Sequence, residues 1–127
     1  MPVMLLLEPT TLLRRTVALT ARSLGLANVH EAASHVLAQS LLDRKAFDGA
    51  LIAIDDQHGV HDEEALALLD KVRSGGTASA ASMPIAVMTD RCDAALLAAL
   101  RARGVNRILL KPFKARHLLD TFAAFAN

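Results

Sequence analysis

The chain contains no tryptophan and no tyrosine, and only four phenylalanines. So few flat aromatic faces leave no stacking platform for single-stranded nucleic acid. Charge excess is missing too: 14 basic residues stand against 13 acidic ones, a net charge of +1. That balance excludes the basic footprint of a nucleic-acid binder or of a protein held on an anionic membrane. The apolar runs are short, and none approaches the roughly 18 residues that cross a bilayer. Met1 to Leu7 is apolar but follows no basic leader, so it does not read as a secretory signal. One cysteine, Cys92, excludes an internal disulfide. With no export signal legible, the reducing cytoplasm is the expected compartment.

What is present points to a packed fold. Of the 127 residues, 53% are hydrophobic and 21% charged, which excludes disorder and suits one domain over 1–127. Four apolar runs stand out: 3–7, 50–54, 85–88 and 108–110. Each is continuous rather than alternating, as strands covered on both faces are. A weaker strand is expected over 28–31. Between the runs lie helical stretches with stop and start signals. Leu12 to Leu24 follows Thr10 and Thr11 as cap candidates and stops at Gly25. Ser34 opens a stretch to Arg44. Asp62 to Arg73 begins with acids and ends with Lys71 and Arg73, matching the helix dipole. Asp93 to Arg103 stops at Gly104, and Lys114 to Phe125 closes the series. The segment 74–82 is small-residue-rich and reads as a flexible loop on the far side of the sheet.

The order is strand, helix, five times over. That alternation predicts an α/β fold: a doubly wound five-stranded parallel sheet with helices on both faces. In such sheets chemistry gathers at the carboxyl ends of the strands. The residues just past each run are Glu8-Pro9, Asp55-Asp56, Thr89-Asp90 and Lys111-Pro112. Acid, acid, hydroxyl and ammonium are therefore expected on one edge.

The order of these pieces resembles the receiver domains of bacterial response regulators, the CheY-like family. Leu7-Glu8-Pro9 with Arg14-Arg15 stands where that family ends its first strand in acids. Phe47-Asp48-Gly49-Ala50-Leu51-Ile52 matches the third strand, and Met83-Pro84 through Thr89 the fourth. Gly104 through Lys111-Pro112-Phe113 matches the fifth. The resemblance spans essentially the whole chain, and Lys111-Pro112-Phe113 is its strongest motif. It implies a module of two-component signalling, not an enzyme, whose partner is a histidine kinase or an output protein. It also implies a partner or homodimer face on the fourth helix, fifth strand and fifth helix. In the family a strand-end aspartate takes a phosphoryl group, acids hold Mg²⁺, the lysine and threonine contact the phosphoryl oxygens, and the proline after the lysine is cis.

The departures fall on the chemistry. Counted without gaps, the acceptor position is Ala53, whose methyl cannot form an acyl phosphate. The acid pair is reduced to Glu8 followed by Pro9, a weak Mg²⁺ ligand at best, and the aromatic of the last strand is Ile108. The expected reading is a pseudo-receiver acting by protein contact without phosphorylation and without a required cofactor. Asp55 is the alternative acceptor and, with Glu8, the candidate metal-ligand pair: residues two apart on a strand share a face, so if β-strand pairing ran two residues further Asp55 would point to the same side as Ala53 and approach Lys111 from slightly farther out. A flavodoxin-like ligand-binding domain or enzyme is the remote alternative.

Bland readings accompany each residue. Lys111 pairs with Glu8 or Asp55. Thr89 either contacts a phosphoryl group or caps the next helix near residues 91–93. Asp55-Asp56 forms a solvated turn, His58, Gly59, His61 and Asp62 are loop residues rather than a metal cage, His35 lies on the surface, and Cys92 is inert.

Overall fold

A computed structural model describes residues 1–55 and 62–125. The elements alternate as expected: β1 (Val3–Leu7), α1 (Thr11–Ser23), β2 (Asn28–Ala32), α2 (His35–Arg44), β3 (Gly49–Ala53), α3 (Glu63–Arg73), β4 (Ile85–Thr89), α4 (Ala94–Ala102), β5 (Arg107–Leu110) and α5 (Ala115–Phe125). All five strands join one parallel sheet in the order β2-β1-β3-β4-β5. The chain leaves β1 toward one edge and returns on the other side, so the switch point lies between β1 and β3.

The continuous apolar runs are explained by packing on both faces. Leu5, Leu7, Ile52, Ile54, Ile85 and Val87 meet α2, α3 and α4 through Leu42, Leu69 and Leu100. Met4, Leu6, Leu51, Ala53, Met88 and Leu109 meet α1 and α5 through Val17, Ala18 and Phe122. Odd and even positions of each strand divide between the two layers. Full burial of each large aliphatic side chain contributes about 1.5–3 kcal/mol against leaving it in water.

Helix ends follow local chemistry. The side chains of Ser34, Asp62 and Asp93 accept backbone N–H groups of Leu37, Ala65 and Leu96, at 3.2, 3.1 and 2.7 Å. The expected hydroxyl cap at Thr10 is absent: its side chain makes no capping bond. Gly25 ends α1 at φ 65°, where a side chain would be strained, and Leu26 N–H returns to Ala21 O at 2.9 Å. The segment 74–82, expected to be flexible, is tied down. Ala78 N–H donates to Leu42 O, Phe47 N–H donates to the buried Ser79 hydroxyl, and Arg73 donates to Ala81 O. No described helix is long and apolar enough to cross a membrane.

Candidate functional site

The site lies at the carboxyl ends of β1, β3 and β5, and strand parity builds it. Met4 and Leu6 face the α1/α5 layer, and two residues on stands Glu8. Leu51 and Ala53 face the same layer, followed by Asp55; Leu109 faces it, followed by Lys111. Three charged side chains thus extend an apolar face past the sheet's end.

They converge on one ammonium. Lys111 Nζ donates to Glu8 Oε1 at 2.5 Å and to Asp55 Oδ1 at 3.3 Å. Glu8 is fully buried, while Asp55 keeps 35% of its side-chain surface in water. The second Glu8 oxygen accepts the Thr10 N–H at 3.0 Å, and the Glu8 carbonyl accepts Arg14 Nη1 at 3.0 Å. Glu8 thus ties the backbone just before α1 to the site. Burial, the largest single influence, pulls the Lys111 ammonium down. The hydrogen bond and charge of Glu8, with the charge and hydrogen bond of Asp55, outweigh it and hold the group above its ordinary value.

Ala53 lies beneath this triad. It is 3% exposed and pairs with Met88 in the ungapped register, so no strand slip occurs. The ladder continues by one bond, Ile54 N–H to Met88 O at 2.8 Å, and the strand then ends. Asp55 therefore reaches Lys111 from beyond β3, without the slip that the alternative acceptor required. The last atom of Ala53 is a methyl, and the nearest acid on that face is two residues later.

Thr89 is fully buried, and its hydroxyl turns to its own loop. It donates to Arg91 O at 2.9 Å and accepts Arg91 N–H at 3.4 Å. It makes no hydrogen bond to Lys111; the two meet through the backbone, Lys111 N–H to Thr89 O at 2.8 Å. Nor does it cap α4, since Asp93 does that. The Lys111–Pro112 bond is cis. Pro112 lines an open depression of about 460 Å³ with Leu13, Asp90, Lys111 and Phe113 at the mouth of the site.

The donor set suits a cation that is already present. Mg²⁺ binds through one or two carboxylates with waters. Here both carboxylates serve the Lys111 ammonium, and both Glu8 oxygens are engaged. Among the described residues no three of His, Cys, Asp and Glu gather as metal ligands. The acidic turn at Asp56 and the residues His58, Gly59 and His61 lie outside the described residues.

Two expectations away from the site also have outcomes. His35 does not sit free on the surface: its Nδ1 is 3.1 Å from Glu64 and its Nε2 3.7 Å from Asp62, between α2 and the start of α3. Cys92 is partly buried, and burial with the Asp93 charge pushes its thiol up, away from the reactive thiolate.

Solved structures with the same arrangement are receiver domains. A response regulator receiver domain protein from Methanospirillum hungatei superposes with a TM-score of 0.81 at 18% identity, over 98% of this chain and 92% of that one. The chemotaxis protein CheY4 of Vibrio cholerae gives 0.80 at 22% identity, over 98% of each chain. The receiver domain of a Pseudomonas aeruginosa sensor histidine kinase, solved with magnesium in its active-site cleft, gives 0.73 at 21%, over 98% and 96%. This chain has the receiver fold. Its sequence matches no protein-family model and no curated protein. The receiver fold accounts for the site's position, since it places the ends of β1, β3 and β5 together.

Proposed function

We propose that the chain is a receiver-like signalling module of a two-component phosphorelay that works by protein contact, without aspartyl phosphorylation. It is a cytoplasmic module and not an enzyme. Its partner is a histidine kinase or an output protein, and a homodimer through α4, β5 and α5 is the alternative use of that face. The observation that carries the reading is the Lys111 ammonium, already shared between Glu8 and Asp55 above a methyl group at Ala53. An incoming phosphoryl group finds no nucleophile at Ala53 and a lysine whose charge is balanced by two carboxylates. No divalent cation is required to neutralise the pocket.

The test is direct. Incubation with acetyl phosphate or phosphoramidate and Mg²⁺ is expected to leave the intact mass unchanged. A single stable phosphate adduct mapped to Asp55 would overturn the reading.

A second reading has its own observation. Asp55 is the partly exposed acid beside Lys111, which is where an acceptor in a working phosphorelay has to stand. On that reading Asp55→Asn abolishes labelling while Asp56→Asn retains it.

A further inference from the structure

α2 and α3 lie side by side on one face of the sheet. Their starts meet where His35 Nδ1 stands 3.1 Å from Glu64, and their ends meet where Lys71 Nζ donates to Asp43 Oδ1 at 3.0 Å. The two helices therefore run in the same direction. An open groove of about 400 Å³ lies between them, lined by Val36, Gln39, Ala67 and Leu68 from one charged end to the other. Val36 is 82% exposed, so an apolar side chain on the groove is left in water.

The charges on this face are ordered along α3. Glu64 and Lys71 are seven residues apart, two turns or about 10.5 Å. They share one stripe of the helix, with the small, exposed Ala67 midway between them. Glu64 touches His35 and Lys71 touches Asp43, yet 77% and 33% of their side-chain surfaces remain in water. Each has room for a second partner. Half a turn about an axis through Ala67 puts Lys71 where Glu64 stood. The face is therefore its own complement, which is what a two-fold contact between identical chains requires.

We propose that two copies of the chain associate through α2 and α3, with the α3 helices antiparallel and Glu64 of each copy paired with Lys71 of the other. Ala67 lets the two helices approach at the axis. The Val36 side chains of both copies leave water where the grooves meet. Charge order decides against a foreign partner of one sign, which would match one end of the stripe and oppose the other. So narrow a face belongs at the low end of specific interfaces, with a dissociation constant between about 10 μM and 1 mM. It shares no residue with α4, β5 or α5 and does not involve Asp55, so this association and the absence of phosphorylation fail separately.

Sedimentation of the full chain over a concentration series tests the contact. The parent is expected to dimerise within that range, with amide shifts that follow concentration on α2 and α3. Glu64→Lys or Lys71→Glu alone sets like charges across both halves of the two-fold seam and is expected to weaken association about tenfold or more. Both side chains reach water, so the circular dichroism of each variant should match the parent. An equimolar mixture of the two single variants restores both attractive pairs and is expected to form a heterodimer. The double variant Glu64→Lys, Lys71→Glu is expected to dimerise like the parent. Four outcomes overturn the proposal: no association of the parent up to about 1 mM, single variants that associate as the parent does, a mixture and a double variant no stronger than the single variants, or concentration-dependent shifts centred away from α2 and α3.

Discussion

Replacing Lys111 by methionine keeps the side-chain stem and removes the ammonium. Glu8 is then a fully buried carboxylate left with one donor, the Thr10 N–H at 3.0 Å. Breaking a buried ion pair from one side costs about 3–5 kcal/mol, mostly the penalty of the stranded charge. The lower end applies here, because Lys111 keeps 16% of its side-chain surface and Thr10 still serves the carboxylate. Asp55, 35% exposed, turns to water at little cost. We expect Lys111→Met to lose about 3 kcal/mol, or about 10 °C in Tm for a chain of 127 residues. The double variant Glu8→Leu, Lys111→Met removes both charges and is expected within about 1 kcal/mol of the parent, since an apolar pair can replace a buried ion pair. Urea unfolding followed by far-ultraviolet circular dichroism measures both, as the chain has no Trp or Tyr to report by fluorescence. A loss under about 1 kcal/mol for the single variant, or simple additivity in the double, refutes the reasoning.

Other outcomes follow from the same contacts. Lys111 is held above its ordinary value, so its contribution is complete below about pH 10.4 and is lost as pH rises through the higher folded value. The urea midpoint of the parent should accordingly fall more steeply in that alkaline window than that of Lys111→Met. His30 shifts the other way: burial first, then Lys45 and Arg22, hold its imidazolium down, and its buried Nε2 has no hydrogen-bond partner among the described residues. Its neutral form supports the fold above about pH 6.5, and that support is lost as pH falls through the lowered value. His30→Leu should flatten this acid limb in a titration of urea midpoints. Asp93→Ala removes the cap that accepts Leu96 N–H at 2.7 Å and should cost about 1 kcal/mol in the same assay.

The elements were legible because their signals are local. The apolar runs at 3–7 and 85–88 fit strands buried on both faces, and the side chains of Ser34, Asp62 and Asp93 announce helices within three residues of themselves. The side-chain period of two already placed Asp55 on the same face as Ala53. Thr10 was expected as a cap and makes none, while its N–H goes to Glu8, a residue held by Lys111 across the sheet. His35 misled for a related reason: an amphipathic pattern does not reveal that the start of α3 packs beside it.

By itself, then, the sequence determined the alternation of strands and helices, the apolar face of each, and which charged residues follow the strands. Only the tertiary structure decided which of those charged residues meet. Lys111 stands 103 residues from Glu8 and 56 from Asp55, and no local pattern carries such distances. They meet because the strand order sets β1 beside β3 and brings β5 to the same end of the sheet. There burial makes the Glu8 charge too costly to leave unpaired, so Lys111 meets it, and the partly exposed Asp55 joins them.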